Sequence, residues 1–438
     1  MREAIKEAVS KFDEDTKNTK IRVISHYDTD GITSAAVMSR ALSRWNKEFS
    51  LQIVKGLEET FIENLPEDEV LLFLDLASNS LEYLRKKKNK IYILDHHEIT
   101  QEVPSNVTMI NPLLFKHEPV SGAGVCYLFA KEISLENLDL SNLAIIGMVG
   151  DMLEKDIGKT YSEILQDSDT EIKQGLLLYP STRPLDKALE YSYSLAIPGV
   201  TGSYKGALEI LRDANIQKVD NKFKALYELN QEEMSALTTA IMLRLNDEKS
   251  MQNMIGNLYL VKFLSKKEDA REISALINAC SRMDNPHVAL GFCLGNRMMK
   301  EKAEKIYIEY RQHLVSALKH VEGMDKISGK QYTIINAKNN IKDTIIGTVA
   351  SIISNSPTYP EGTMIIALAY NEDKIKVSAR LAGREGKNVR EVLAQVTTAI
   401  GGEVGGHPKA AGCLISKNDE DKFITELKKV LDLEFVKV

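Results

Sequence analysis

The sequence predicts an α/β protein: an N-terminal doubly wound parallel sheet, a helical connector and a smaller C-terminal α/β domain. Three observations carry this. Short apolar runs alternate with helical stretches through residues 1–155, the pattern of strand–helix units feeding a parallel sheet. Three of the runs end on His or Asp: Ile21–Ile24 before Ser25-His26, Val70–Leu74 before Asp75, and Ile91–Leu94 before Asp95-His96-His97. A second strand–helix alternation starts near Gln331. The expected boundaries are 1–200, 201–325 and 326–438.

In chain order, residues 1–12 predict a helix with Ile5, Ala8, Val9 and Phe12 on one face. The β-branched run Ile21–Ile24 predicts a strand, and Thr33–Met38 opens a helix whose small residues suit close packing on a sheet. Further strands are expected at 49–54, 70–74 and 91–94. Ser121-Gly122-Ala123-Gly124 starts a helix whose backbone N–H groups could meet a phosphate. Leu143–Asp151 is an apolar run ending on an acid and predicts a helix. Pro180, Pro184 and Pro198, with Gly199 and Gly202, mark a boundary. Residues 203–255 read as mostly helical, and 256–325 combine a strand-like run, Asn257–Leu264, with more helix. Past Gln331 come a strand, a helix at 346–351, strands at Met364–Ala369 and Ile375–Arg380, and a glycine-rich stretch at 401–412.

Composition narrows the classes. The 438 residues are 43% hydrophobic and 27% charged, an ordinary globular balance. No run approaches the ~18–20 apolar residues of a membrane span, and the charged N-terminus lacks a signal peptide's apolar region, so a cytoplasmic location is expected. Cys126, Cys280, Cys293 and Cys413 form no Cys-x-x-Cys pair and predict buried, reduced thiols. The net charge of −6 does not mark a general nucleic-acid binder. Residues 331–415 carry six Lys and three Arg against seven acids, so any such site is local.

His26, Asp28, Asp30, Asp75, Asp95, His96, His97 and Asp151 converge on one expected sheet edge. In open α/β sheets, ligands bind at the carboxyl edge of the strands. Carboxylates gathered there repel one another unless cations neutralise them. Mixed imidazole and carboxylate ligation suits manganese, iron or zinc better than magnesium. A pair of such ions about 3.5–4 Å apart, bridged by one carboxylate, commonly serves phosphate-ester hydrolysis. Two rival motifs fail. Asp28-Thr29-Asp30-Gly31 lacks the third alternate acid and the twelfth-position Glu of an EF-hand loop. Read instead as the nucleophile motif of haloacid-dehalogenase phosphatases, it leaves His26, His96 and His97 unexplained. His117 and His287 are expected at the surface or satisfied in the core, and His313 and His320 on an exposed helix. Trp45, Tyr191, Tyr193 and Tyr204 are expected to pack rather than to stack on bases.

Four ordered segments, Ser25–Gly31, Leu74-Asp75, Leu94–His97 and Gly147–Asp151, resemble the motifs of the DHH phosphoesterase superfamily. Ile346–Ser351, Ser378-Ala379-Arg380 and Gly405–Gly412 resemble its associated substrate-binding domain. Ile197–Gly202 and Leu276–Met283 are similar to segments of archaeal RecJ-like exonucleases, the group that includes the GINS-associated nuclease. The resemblance covers roughly 20–155, 195–212, 270–297 and 330–415.

The resemblance implies two divalent metal ions, manganese ahead of magnesium or cobalt. His26, Asp28 and Asp75 would hold one; Asp30, Asp75, His96 and Asp151 would hold the other, with Asp75 bridging. Asp95 would orient a neighbouring imidazole, and His97 would face the scissile phosphate. Arg380 and His407 would bind phosphates, with Gly405 and Gly406 allowing close approach. Substrate is expected in the cleft between the two α/β domains. The extra oligonucleotide-binding domain of bacterial RecJ is not expected here. The implied activity is 5′→3′ degradation of single-stranded DNA in replication or repair, with a GINS-type or replicative helicase complex as partner. The alternatives are 3′→5′ trimming, hydrolysis of short RNA or cyclic dinucleotides, and a catalytically silent replication scaffold.

Overall fold

The protein is described from a computed structural model covering residues 1–155, 157–192, 195, 197–245, 254–356, 358–383, 385–402 and 404–432. It divides into two compact units, Met1–Tyr307 and Ile308–Val438.

The first unit is built on five parallel strands, β1 (Ile21–His26), β2 (Phe49–Val54), β3 (Val70–Leu74), β4 (Ile91–Leu94) and β5 (Val107–Ile110), in the order β2-β1-β3-β4-β5. β3 and β4 are buried along their whole length, as expected for strands covered on both faces. Leu72, Leu74, Tyr92 and Leu94 face one core with helices α1 (Arg2–Asp15), α2 (Thr29–Arg44), α5 (Gly122–Ile133) and α6 (Ser141–Gly150). Leu71, Phe73, Ile91 and Ile93 face another with the short α3 (Glu59–Glu63) and α4 (Leu81–Arg85). The sheet is therefore doubly wound. Its order reverses between β1 and β3, and such switch points open a crevice at the carboxyl edge.

α2 begins four residues before the expected Thr33, because Asp28 caps it by accepting the Gly31 N–H at 3.0 Å. The Asp28–Gly31 motif is thus a cap and first turn rather than a loop. Trp45 packs on Phe12, ring centroids 6.0 Å apart.

After α7 (Lys159–Asp167), a separate small core joins β6 (Glu171–Leu176), α8 (Leu185–Glu190), α9 (Tyr204–Asp213), α10 (Gln231–Met242) and β7 (Ile255–Phe263) through Leu176, Leu185, Ile210, Leu237 and Leu258. β6, β7 and β8 (Lys266–Asp269) form an antiparallel sheet. The chain then returns to the first core: Ile273, Leu276, Ile277 and Cys280 of α11 (Ala270–Arg282), and Phe292 of α12 (Pro286–Cys293), are buried there. Tyr191 and Tyr204 are partly exposed on this middle region, with Lys187 Nζ 5.6 and 4.8 Å from their ring centres; Tyr193 lies outside the described residues.

The unit boundary falls within α13 (Arg297–Gly323), which carries the exposed His313 and His320. The second unit has six strands, β9 (Ile327–Ser328), β10 (Tyr332–Asn336), β11 (Met364–Asn371), β12 (Lys374–Leu381), β13 (Val404–His407) and β14 (Ala410–Ser416), ordered β13-β14-β12-β11-β10-β9. Only β10 and β11 run parallel. α14 (Asp343–Ser354) packs on β11 and β12, while Val389, Leu393 and Val396 of α15 (Val389–Ile400) and Phe423 and Leu427 of α16 (Glu420–Asp432) fill its core. Among the described residues, no helix is long and apolar enough to cross a membrane.

Candidate metal centre

At the carboxyl edge, three of the five strand ends and two helix ends deliver parts of a polar cluster. His26 ends β1, and Asp28 and Asp30 occupy the cap and first turn of α2. Asp75 follows β3, Asp95, His96 and His97 follow β4, and Asp151 caps the C-terminus of α6. His26 Nδ1 lies 3.0 Å from Asp28 Oδ2 and 3.5 Å from Asp75 Oδ2. His96 Nε2 lies 3.0 Å from Asp151 Oδ2, 3.3 Å from Asp75 Oδ1 and 3.6 Å from Asp30 Oδ2. Among the described residues, three groupings have ligand atoms within 4.8 Å of one another: His26, Asp28 and Asp75; Asp30, His96 and Asp151; and Asp75, His96 and His97. Asp75 belongs to two of them.

The backbone makes room for Asp75. Its φ is +57°, the left-handed region that Asp tolerates better than bulkier residues. Gly122 approaches so closely that a Cβ there would stand 2.7 Å from the Asp75 Cβ. The start of α5 has other duties than the phosphate contact expected from its glycines. Gly122 N–H and Ala123 N–H donate to the two oxygens of Asp30 at 2.5 and 2.9 Å. Ser121 N–H donates to the Tyr161 hydroxyl, and Gly124 N–H to Ser121 Oγ. Those donors are spent inside the protein.

Asp95 is fully occupied. Its Oδ1 accepts from His97 Nδ1 at 2.8 Å and from the His96 and His97 backbone, while Oδ2 accepts from Ser78 N–H at 3.0 Å and Ser78 Oγ at 2.5 Å. Asn111 Nδ2 donates both to Ser78 Oγ and to the His97 carbonyl. This fixes the loop and leaves His97 Nε2 as the ring atom available to a ligand. Ser78 and Asn111 have no motif of their own. Their only trace in the sequence is a polar residue soon after an apolar run.

The electrostatics describe a cluster short of positive charge. Burial would lower His26 and His96, yet the carboxylates around them, Asp28 and Asp75 for one, Asp151 and Asp75 for the other, hold both imidazoles well above their ordinary range. Burial pushes Asp30 and Asp151 upward, with repulsion from Asp75 adding to it. Asp28 and Asp95 are held low despite burial, by His26 and by His97 respectively. Despite these short approaches, His26 Nδ1 and both oxygens of Asp75 are buried without a well-aligned hydrogen bond. Unpartnered buried ligand atoms are costly unless something satisfies them, and a mixed His/Asp donor set fits divalent cations. The residues present fit a metal centre.

Of the predicted substrate contacts, Arg380 lies on β12 and His407 on β13, both opposite Ala410 of β14. They therefore stand in one cross-strand row on one face of the sheet. Ser351 Oγ and the carbonyls of Ala379 and Ala411 accept from the Arg380 guanidinium. Gly405, Gly406 and His407 are exposed. His117, outside the cluster, lies 3.4 Å from Thr160 Oγ1, and His287 is exposed.

Fold and site together define an α/β protein with a candidate metal centre at the switch point of a doubly wound sheet. Three domain families match the chain: the DHH family N-terminal domain at residues 20–150, the DHH-CID domain at 178–258 and the DHHA1 domain at 329–432. The chain belongs to the DHH superfamily and is RecJ-like in its architecture. An uncharacterized protein of Methanocaldococcus jannaschii is 29% identical over 430 residues, 94% of this chain and 93% of that one. RecJ from Thermus thermophilus in complex with manganese has a similar fold (TM-score 0.63, 16% identity), and the match covers 98% of this chain but only 55% of that one. A manganese-bound exonuclease RecJ matches with TM-score 0.62 at 15% identity over 98% and 95% of the two chains. CDC45 from Entamoeba histolytica matches with TM-score 0.66 at 12% identity over 99% of each.

Proposed function

We propose that this protein is a metal-dependent phosphodiesterase that degrades single-stranded DNA from its 5′ end, a RecJ-type exonuclease. One observation carries the reading: a complete set of His and Asp ligand atoms, with both Asp75 oxygens unpartnered, converges at the sheet's switch point. His26, Asp28 and Asp75 would hold one divalent ion, and Asp30, Asp75, His96 and Asp151 a second, with manganese favoured by the two imidazoles. When bound, such ions supply positive charge for the phosphoryl oxygens and lower the pKa of a nearby water.

The remaining work belongs to the chain. The Asp95–His97 hydrogen bond directs Nε2 of His97 toward the substrate phosphate. Arg380, oriented by Ser351, and His407 bind phosphates of the strand, and Gly405 and Gly406 admit its backbone closely. The domain assignment 1–200, 201–325 and 326–438 gives catalysis to the first segment and phosphate binding to the third. The middle segment, with Leu243 82% exposed, offers a surface for a protein partner, a GINS-type replication complex by the family resemblance. Mononucleotide release from 5′- and 3′-labelled single-stranded DNA and RNA, with manganese, tests the reading. Products appearing first from the 3′ end, or faster cleavage of RNA, would replace it with the short-RNA alternative.

A further inference from the structure

Thr29 stands between the two acids of the Asp28-Thr29-Asp30 motif, is 1% exposed, and is not itself a candidate ligand. Its hydroxyl donates to the carbonyl of Ser274 at 3.0 Å, and Ser274 Oγ lies 3.1 Å from the same oxygen. With the single Thr29 proton spent on the carbonyl, Ser274 Oγ must be the donor in the second bond. Gly150 also lies close: a Cβ there would fall 2.7 Å from Thr29 Cγ2 and 3.6 Å from Ser274 Oγ. Gly150 directly precedes Asp151. The first turn of α2 is thus held between α6 and α11, and α11 lies outside all three domain matches.

We propose that Ser274 is a positioning residue for the metal centre, acting through Thr29. Asp28 and Asp30 sit on either side of Thr29, so a roll of that turn about the helix axis displaces both carboxylates together. The paired hydroxyls resist the roll, and the contact with Gly150 ties the same turn to the end of α6, where Asp151 sits. This rests on the metal reading above. It adds that a helix of the middle segment, outside the three domain matches, completes the site.

Manganese titration calorimetry on the metal-free full chain tests it with Thr29→Val, Ser274→Ala, the double variant and Thr29→Ser. Thr29→Val removes both bonds and is expected to weaken affinity about tenfold, in the range seen when groups supporting metal ligands are lost. Ser274→Ala removes one bond and is expected to cost about threefold. The double variant should match Thr29→Val alone, since the two residues act as one unit. Thr29→Ser keeps the hydroxyl, losing only the methyl against Gly150, and should recover most of the affinity lost in Thr29→Val. Thermal melting of the metal-free variants separates this from a general loss of packing: Ser274→Ala is expected to shift affinity with little change in melting temperature. Parent-like affinity in Thr29→Val, additive losses in the double variant, or an affinity loss in Ser274→Ala that merely follows a lowered melting temperature would overturn the proposal. A parent protein that takes up no manganese would overturn the metal reading, and this inference with it.

Discussion

The two sheets place polar residues in opposite ways. In the five-stranded parallel sheet, Asp30, Asp75 and Asp95 are at most 1% exposed, and every oxygen of Asp30 and Asp95 is accounted for by hydrogen bonds. In the six-stranded sheet, His407 and its glycines are exposed on an edge strand, and Arg380 is half-buried. Burial sharpens electrostatics and fixes geometry, which a metal centre needs. Exposure lets a long flexible polyanion be gripped at its backbone, where charge-assisted hydrogen bonds matter more than a dry cavity. Under the proposed function, the difference separates a place that holds charge from a place that meets it.

The largest effect should come from the residue on which the first sheet's cluster centres. Asp75→Ala should abolish hydrolysis of labelled single-stranded DNA, as should chelation. Full activity in either condition would contradict the two-metal reading. Next, metal affinity should depend steeply on pH. His26 and His96 are held above their ordinary range, and burial pushes Asp30 and Asp151 up from theirs, so in the metal-free protein each keeps its proton to higher pH than it would in water. Binding must expel those protons, so affinity rises with pH, by about tenfold per unit for each proton released. Calorimetry in buffers of different ionisation enthalpy counts them; a heat independent of buffer would mean that none leaves.

For the second sheet, Arg380→Ala and His407→Ala should leave manganese binding intact. Each should reduce degradation of single strands by roughly tenfold to a hundredfold, on the order of 1.5–3 kcal/mol for a lost charge-assisted contact. Calorimetry showing an emptied metal site in either variant would erase the distinction between the two sheets. The smallest effect concerns the thiols. Burial pushes Cys280 of the first unit and Cys413 of the second each up to about 12. Neither should be alkylated by iodoacetamide in the native protein at pH 8 within minutes. Selective labelling of Cys413 by mass spectrometry would show that the second unit opens more readily than the first.

What the sequence made legible follows from periodicity and from charge at its breaks. β1, β3 and β4 are apolar runs cut off by His or Asp, so their ends were readable, and with them His26, Asp75, Asp95, His96 and His97. β5 and β6 went unread. β5 is as short as β4 but ends on Asn111 rather than on His or Asp, and β6, Glu171–Leu176, is exposed along most of its length and buries only its end. α2 starts at Thr29, four residues before the small residues from Thr33 suggest, because the polar cap and first turn carry no apolar periodicity. The roles of Ser78, Asn111, Gly122 and Ser274 were not legible at all. Hydrogen bonds between residues far apart in sequence leave no local pattern, and a glycine needed for close approach looks the same as one needed for a turn.

The bond from Thr29 to Ser274 spans 245 positions. A ribosome adding about 5–20 residues per second reaches the second partner on the order of 10–50 s after the first. During that interval the ligand-bearing strands already exist, while the turn that carries Asp28 and Asp30 lacks its final support. On the metal reading and the role proposed for Ser274, a nascent chain meets cellular cations before its centre is finished, and the order of synthesis delays a fully formed site until α11 has docked.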